Sequence, residues 1–289
     1  MSLKIQAAAK INLFLDIVAT LPNGYHSLFM VMQSVSLYDT VEIQATSTGK
    51  IELVLSDKNL PTGPTNTAYK AALAFYEATG LKNKGLKISI EKRIPHSAGL
   101  AGGSADAAAV LKGLNILHDT PLSEEELNKA ALTVGSDVPF CLEGGTMLAL
   151  DSGGLVTKLP AIPKCYLVLA KPFGGVSTAK AYAEYDACEY VRHPNCSMML
   201  HNVLHSKKLE DIFAYANNVF EQCVEVPDRV EIKRIMRKYS PICSQMTGSG
   251  PTVFGVYENF EDAKKCAEEL SELVESAFVC EPVNSGLEF

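Results

Sequence analysis

The chain has 289 residues, 47% of them hydrophobic, so it can bury a large core and is nearer in length to two ordinary domains than to one. Its 26 basic and 33 acidic residues leave a net charge of -7, which argues against a nucleic-acid partner and requires a local positive site for any polyanionic ligand. No run approaches the roughly 20 apolar residues that cross a bilayer, and no basic, apolar leader follows Met1. These features predict a cytoplasmic protein that does not enter a membrane.

The eight cysteines are scattered without a C-x-x-C pair, which predicts reduced thiols in the core. One segment of eighteen residues is rich in metal-ligating side chains and contains Cys188, His193, Cys196, His201 and His205. The sequence H-N-V-L-H at its end lacks the acid of a zinc-binding H-E-x-x-H motif. A solvated or packed segment is therefore favoured over a metal site.

The first third of the chain is predicted to be largely β. Apolar residues alternate with others in K-I-N-L-F-L-D-I, which predicts a strand with Lys10 and Asn12 on one face. Asn23-Gly24 predicts a turn. A helix is predicted over 67–79, capped by Asn66 or Thr65 and ended by Gly80. The strands predicted here lie at 10–17, 41–45, 51–55 and 86–91.

Helices are predicted to dominate the middle of the chain, and the tail is predicted to be a β-α-β unit. An alanine-rich helix is expected over 105–117, and a capping box of Ser123 and Glu126 opens a second helix that ends at Gly135. The pattern indicates two packed α+β lobes, divided as 1–154 and 155–289. The remaining elements are strands at 165–170, 253–257 and 277–283 and helices at 209–223, 231–238 and 261–274.

A glycine cluster lies between a predicted strand and the alanine-rich helix. Glycines let backbone N–H groups converge on an anion, and a helix start adds unsatisfied donors and the positive end of its dipole. Phosphate is the expected occupant, although a turn that lets a helix and a strand pack closely would use the same residues. The segment consists of Pro95, His96, Ser97, Ala98, Gly99, Leu100, Ala101, Gly102, Gly103, Ser104 and Ala105.

The cluster matches none of the commoner nucleotide-site signatures, since the sequence has no G-x-x-x-x-G-K-[ST], no G-x-G-x-x-G opening a helix after a strand, and no H-R-D with D-F-G. It resembles instead the second motif of the GHMP kinases, the superfamily of galactokinase, homoserine kinase and mevalonate kinase. Ala9-Lys10-Ile11-Asn12-Leu13 resembles the first motif, and a run containing Thr247, Gly248, Ser249 and Gly250 resembles the third. The resemblance spans the chain from end to end.

The resemblance implies an ATP-dependent kinase that uses Mg²⁺. It also implies an α+β, two-lobed fold, with an N-terminal ribosomal-S5-like lobe, a C-terminal ferredoxin-like lobe and the active site between them. Ala101 stands where many members have glycine, a replacement that a negative φ would tolerate. Ser104 is a candidate to approach the metal.

Four stretches narrow the resemblance to members that phosphorylate the 2-hydroxyl of a cytidine-diphosphate-linked branched polyol in the non-mevalonate route to isoprenoids. Homoserine and mevalonate-type kinases, and a catalytically silent ligand-binding member, are the alternatives. The stretches are A-K-I-N-L at 9–13, N-G-Y-H at 23–26 with L-Y-D-T at 37–40, G-G-S-A-D-A-A-A at 102–109 and V-G-S-D-V-P-F at 134–140.

By this resemblance Asp137 is the catalytic base and Lys10 its electrostatic partner. The residue types suit the reaction, because a hydroxyl attacking a γ-phosphoryl needs a proton acceptor and the growing charge needs a fixed cation. Considered alone, Asp137 is more often a helix cap or turn residue, and a lone lysine is usually solvated.

The resemblance also implies a substrate-binding set of Asn12, Tyr25, His26 and Tyr182. In these kinases an aromatic pair sandwiches cytosine while the histidine contacts its edge, so Tyr25 and Tyr182 are the expected pair. Without the resemblance, Tyr25 is equally well interpreted as a surface aromatic at a hairpin tip.

Overall fold

The computed structural model describes residues 2–21 and 24–289, so the predicted turn residue Asn23 lies outside the described residues. The strands are β1 (Ser2–Thr20), β2 (His26–Ala45), β3 (Ile51–Leu55), β4 (Leu86–Glu91), β5 (Thr146–Asp151), β6 (Leu155–Lys158), β7 (Tyr166–Lys171), β8 (Asn217–Asn218), β9 (Cys243–Met246), β10 (Val253–Tyr257), β11 (Ser276–Cys280) and β12 (Leu287–Glu288). The helices are α1 (Thr67–Thr79), α2 (Gly102–Leu117), α3 (Glu124–Val134), α4 (Val138–Glu143), α5 (Thr178–Asp186), α6 (Cys196–His205), α7 (Leu209–Phe213), α8 (Arg229–Lys238) and α9 (Phe260–Leu270), with a 3-10 turn at Val219–Gln222. None of these helices is long and apolar enough to cross a membrane.

The larger sheet has the order β12-β1-β2-β4-β3, with β5 and β6 continuing from β2 and β8 pairing with β1. Strand β1 is buried without interruption from Ala7 to Ile17, so both of its faces are covered along most of its length. Helix α2 packs on β1 and β2, and α1 packs on α2. The polar side chains of Lys10, Asn12 and Asp16 are therefore buried in the middle of the molecule. Polar groups in such a place need specific partners.

The smaller sheet is fully antiparallel, with the order β11-β7-β10-β9. Along the chain its elements follow as β7, α8, β9, β10, α9 and β11, the β-α-β-β-α-β arrangement of ferredoxin-like folds. Its own core lies between the sheet and the two helices and includes Ile232, Met236, Tyr257 and Leu270. The predicted α+β architecture with two lobes is confirmed.

The two lobes are joined by more than the chain connections. Strand β12, at the end of the chain, pairs with β1, and Gln245 of β9 donates its side-chain amide to the carbonyl oxygens of Asn12 and Leu13. Strand β6 still belongs to the larger sheet, which therefore continues past residue 154 to Lys158, whereas the smaller sheet begins at Tyr166. The division at 154/155 remains a prediction.

Most predicted elements are present, with one clear error. Helix α1 has the predicted bounds, because Asn66 accepts from the Ala68 N–H at its start and Gly80 takes a left-handed φ of 66° at its end. The predicted capping box of Ser123 and Glu126 is formed. The helix predicted over 209–223 is wrong, since α7 ends at Phe213 and the short strand β8 follows. In β8 the side-chain amide of Asn218 donates to the carbonyls of Met246 and Gly248, contacts that lie outside any helix.

Candidate active site

A single cavity of about 1010 Å³ holds most of the residues that the sequence singled out. Gly99 and Gly103 line one part of it, Lys10 and Asp137 another, and His26 and Tyr182 a third, together with Tyr25. Its volume is at the top of the range of about 300–1,000 Å³ for small-molecule sites. The cavity can therefore hold more than one small ligand at once.

The ammonium group of Lys10 is fixed inside the cavity by three oxygens. Lys10 is 5% exposed, and its Nζ donates to Asn12 Oδ1 at 2.7 Å and to the carbonyl oxygen of Gly99 at 3.2 Å. The carboxylate of Asp137 lies 3.9 Å away and completes an ion pair. The alternative of a solvated lysine is wrong, because the ammonium group is buried and contacts three protein oxygens.

Asp137 occupies the N-cap position of α4, yet its side chain makes no capping hydrogen bond. Its backbone is in the right-handed helical region, and the side chain is 30% exposed. The carboxylate of a capping aspartate would accept hydrogen bonds from the N–H groups of the first helical turn. Here the carboxylate is left for Lys10 and for a ligand, as a general base requires.

Asn12 lies behind the lysine and is fully buried. Its side-chain oxygen accepts from Lys10, its side-chain amide donates to Met30 Sδ at 3.2 Å, and its backbone N–H donates to Thr247 Oγ1 at 2.9 Å. The residue lines the cavity, but these contacts make it the group that orients the Lys10 ammonium. Direct contact with substrate, as the sequence suggested, stays a prediction.

The second and third glycine-rich segments meet beside Lys10. Gly99 has φ of 74°, and a Cβ added there would overlap the carbonyl oxygen of Thr247. Gly248 faces Gly99 in turn and would place a Cβ 3.5 Å from Lys10 Nζ. Gly248 and Ser249 line the cavity, and Ser249 Oγ lies 3.3 Å from Thr178 Oγ1. Thr247 and Gly250 lie behind them and close a turn through the hydrogen bond from the Gly250 N–H to the Thr247 carbonyl.

Helix α2 begins at Gly102, three residues earlier than predicted, and its N-cap is Ala101. Ala101 has φ of 57°, so the negative φ under which alanine would be tolerated is not observed, and the alanine bears left-handed strain. An alanine cannot cap with its side chain, which leaves first-turn N–H groups and the helix dipole for an anion. This end of the cavity fits a phosphate group.

The predicted nucleotide loop is not exposed to the cavity along its whole length. Leu100 and Ala105 are buried in the core, and Ser104, the candidate metal ligand, is not among the residues that line the cavity. The lining residues of the loop are Pro95, His96, Ser97, Ala98, Gly99, Ala101, Gly102 and Gly103.

A buried charge cluster lies beneath this loop and was not predicted. Lys92 Nζ donates to Asp39 and, at 2.7 Å, to Asp106 Oδ2, and both Lys92 and Asp106 line the cavity. Asp39 also accepts from the backbone N–H groups of Arg93 and Ile94, whereas Oδ1 of Asp106 has no hydrogen-bond partner among the described residues. Burial raises the pKa of Asp106 to about 7, with the Lys92 ammonium opposing the rise. One ammonium therefore serves two carboxylates.

This cluster makes stability depend on pH. Between about pH 4 and pH 7 the folded chain holds a proton on Asp106 that the unfolded chain has lost, so stability falls as pH rises through this window. Asp106→Asn removes this contribution, and the free energy of unfolding of the variant should rise relative to the parent chain from pH 4 to pH 7, by at most about 4 kcal/mol. Urea unfolding at several pH values measures it, with the exposed Glu52→Gln as control. A constant difference across the window would contradict the assignment.

The far end of the cavity is aromatic. The His26 ring stacks on Tyr182 with centroids 4.7 Å apart and planes at 21°, and it meets Tyr185 edge-on at 5.8 Å. Phe220 packs its edge against Tyr182 at 5.1 Å. Tyr25 lines the same region with 67% of its surface exposed. The predicted substrate-binding set is thus brought to one cavity, with one face of Tyr182 covered by His26.

The acidic and aromatic parts of the cavity influence each other. Burial raises the pKa of Tyr182 to about 12, and the Asp137 carboxylate contributes to the rise. Tyr182 is therefore neutral at physiological pH and acts as an aromatic surface with a hydroxyl group. The coupling also places Asp137 within electrostatic reach of the aromatic end.

The cysteine- and histidine-rich segment does not converge on one point. His193 Nδ1 lies 3.0 Å from Asp16 Oδ1, and Cys196 Sγ lies 3.7 Å from Asp16 Oδ2. His201 and His205 pack against each other, with ring centroids 4.8 Å apart. The contacts tie this segment to β1 beside the cavity.

Several residues of the site could not be recognised in the sequence. Lys92 follows a strand and Asp186 ends an ordinary helix, so neither stands out locally. Asp106 carried a signal, because an acid inside the alanine run of α2 is unusual for a buried helix face. The partners that reveal these residues lie 14 to 160 positions away in sequence.

The chain is similar in sequence to known proteins. The sequence-family model named GHMP kinases N terminal domain matches residues 66–145 of the chain. The one named GHMP kinases C terminal matches residues 217–276. A 4-diphosphocytidyl-2-C-methyl-D-erythritol kinase of Caldicellulosiruptor bescii is 42% identical over 93% of this chain and 94% of its own length.

Solved structures agree in fold. A 4-(cytidine 5'-diphospho)-2C-methyl-D-erythritol kinase matches with a TM-score of 0.80 and 30% identity over 98% of this chain and 99% of its own. A homoserine kinase from Cytophaga hutchinsonii matches with a TM-score of 0.76 over 99% of this chain and 96% of its own, but at 19% identity this likeness concerns the fold alone. Because both family models match the chain and a curated relative is 42% identical to it over 93% of its length, the chain belongs to the GHMP kinases.

Proposed function

We propose that this kinase transfers the γ-phosphoryl group of ATP to the 2-hydroxyl of 4-diphosphocytidyl-2-C-methyl-D-erythritol. The observation that carries the proposal is one continuous cavity with a glycine-rich loop at a helix start, a lysine–aspartate pair and an aromatic end. A nucleotide, a reacting hydroxyl and a cytosine base each need one of these parts. The name of the curated relative and that of the similar solved structure specify the acceptor.

The nucleotide binds, in this proposal, at the loop formed by residues 95–103. The N–H groups at the start of α2 face phosphate, and the helix dipole adds positive potential where the net charge of the chain would repel it. Asn66, Thr67 and Lys92 line the neighbouring part of the cavity and supply polar groups for the rest of the nucleotide.

The acceptor alcohol binds at the aromatic end, with its base near His26 and its polyol near Asp137. Asp137 accepts the proton of the attacking hydroxyl, because its carboxylate faces the cavity and is not used as a helix cap. Lys10 stabilises the charge that grows on the transferred phosphoryl group and also holds Asp137 in place. Asn12 and the Gly99 carbonyl keep the ammonium directed at that point.

Mg²⁺ is proposed to enter with ATP. It prefers oxygen ligands and often binds through nucleotide phosphates with only one or two carboxylates. No group of three or more His, Cys, Asp or Glu side chains suited to a metal is formed within residues 2–21 and 24–289. Among the described residues three acids line the cavity, and each already has a cationic or imidazole neighbour: Asp106 contacts Lys92, Asp137 contacts Lys10 and Asp186 contacts His26. When bound, the ion would neutralise phosphate charge.

Product analysis tests the proposed reaction. The protein is incubated with ATP, Mg²⁺ and the cytidyl alcohol, and the products are followed by phosphorus NMR. We expect one ADP for each new phosphomonoester on the 2-hydroxyl. ADP without a new ester, or a new phosphate on the diphosphate bridge, would contradict the assignment.

Tyr25→Ala tests the placement of the base. A ring that stacks on a base contributes about 1–3 kcal/mol without distinguishing one base from another, so KM for cytidyl and uridyl alcohols should rise by similar factors of about 5 to 150. KM for ATP should be unchanged. Tyr190→Ala, which removes another exposed tyrosine outside the cavity lining, is the control. An unchanged KM for the cytidyl alcohol in Tyr25→Ala would place the base elsewhere.

A further inference from the structure

Asp186 contacts His26 at the aromatic end of the cavity, and it has no role in the reaction proposed above. Its Oδ1 lies 2.8 Å from Nε2 of His26, across 160 positions of sequence. Asp186 is the last residue of α5, one turn after Tyr182, so the same helix supplies the carboxylate and the ring that stacks on His26. The His26 side chain is 7% exposed, whereas that of Asp186 is 54% exposed and lines the cavity.

This contact decides which nitrogen of His26 carries the proton. An ionised carboxylate can only accept, so Nε2 must carry the hydrogen that it donates to Asp186. In a neutral imidazole the other nitrogen, Nδ1, is then an acceptor, and it has no hydrogen-bond partner among the described residues. Tyr182 covers one face of the ring and Tyr185 contacts it edge-on, which restrains rotation that would exchange the two nitrogens.

We propose that Asp186 is the positioning residue that makes the acceptor site select cytosine over uracil, by holding His26 in the form that presents Nδ1 as an acceptor. Cytosine has an exocyclic amino group that donates to such a nitrogen, and uracil has a carbonyl oxygen in the same place. The uracil oxygen would face the lone pair of His26 Nδ1, and both acceptors would be left without a hydrogen bond. Leaving buried acceptors unpaired costs more free energy than one hydrogen bond contributes. The inference rests on the proposed function, since it assumes that the base lies beside His26.

Binding measurements test the proposal without depending on turnover. Cytidine diphosphate and uridine diphosphate are titrated by calorimetry into the whole protein, with the nucleotide site filled by a non-hydrolysable ATP analogue. The parent chain should prefer the cytidine compound. Asp186→Ala should narrow this preference by about tenfold, whereas Asp186→Asn, whose amide can either accept from Nε2 or donate to it, should narrow the preference less. Glu189→Ala, which removes an exposed acid just beyond α5, should leave it unchanged.

Nitrogen NMR of the imidazole supplies a second readout. In the parent chain the nitrogen chemical shifts of His26 should identify a neutral ring protonated on Nε2. In Asp186→Ala the shifts should show a mixture of the two neutral forms of the ring. A parent ring protonated on Nδ1 would overturn the proposal, and so would an Asp186→Ala variant with an unchanged cytidine preference. Failure of the proposed function is separate, because it would appear as no phosphorylation of the cytidyl alcohol even where cytidine diphosphate binds selectively.

Discussion

Replacing Asp137 by asparagine should lower kcat by about 10²–10⁴ while leaving the KM for ATP nearly unchanged. Asparagine has almost the same shape but is far less basic, so it would still sit at the N-cap position of α4 beside Lys10. The proton of the attacking hydroxyl would then have no fixed acceptor. Steady-state kinetics with the cytidyl alcohol measures the effect.

The control for this variant is Glu258→Gln, which neutralises an exposed acid outside the cavity lining. Turnover of Asp137→Asn close to that of the control would remove Asp137 from the role of base. The hydroxyl proton would then pass to the phosphoryl group late in the reaction, and the Lys10 ammonium would be the main contribution of this pair.

Replacing Gly99 by alanine should lower the free energy of unfolding by about 2–4 kcal/mol and reduce turnover. The new Cβ would bring left-handed strain of about 1–2 kcal/mol at φ of 74° and would overlap the carbonyl of Thr247. Relief requires the two glycine-rich segments to separate, and the Gly99 carbonyl then moves away from Lys10. Denaturant unfolding and kcat measure the two consequences.

Gly49→Ala is the matched control for this prediction. Gly49 has a similar φ of 67°, but a Cβ there meets nothing within 4 Å. Its substitution reports the cost of left-handed strain alone, so the excess in Gly99→Ala measures the overlap with Thr247. An equal loss of unfolding free energy in the two variants would mean that the glycine-rich segments move apart at no cost and that their contact does not fix the site.

The local sequence was sufficient to predict those elements whose ends are determined by residues nearby in the chain. Asn66 and Gly80 bound α1 because capping and left-handed termination act within a few residues. The alternation in β1 predicted its strand, although its length and complete burial depend on the helices and the second lobe that cover it. The fold class followed from such elements together with the family resemblance.

Prediction failed where distant parts of the chain compete with local preference. The helix predicted over 209–223 is replaced at Asn218 by pairing with β1 and by hydrogen bonds from its amide to the carbonyls of Met246 and Gly248. Ala101 takes a conformation usual for glycine because the chain must turn there into α2. The carbonyl partners of Asn218 lie 28 and 30 positions away, so no window of local sequence contains them.

The candidate site was predicted in its residue types but not in its connections. The motifs identified Lys10, Asp137 and the glycine-rich loop, and the structure places the two side chains and most of the loop on one cavity. The partner of His26 and the charge cluster around Lys92 depend on pairings between separate elements, which one sequence does not reveal.

The most direct test of the account is a comparison of acceptors under one set of conditions. The values of kcat/KM are measured with ATP and Mg²⁺ for the cytidyl alcohol, homoserine and mevalonate. We predict that the cytidyl alcohol exceeds both others by about 10³-fold or more, because only it can occupy the aromatic end while presenting a hydroxyl to Asp137. Preferential turnover of homoserine or mevalonate, or nucleotide binding by calorimetry without phosphorylation of any acceptor, would contradict it.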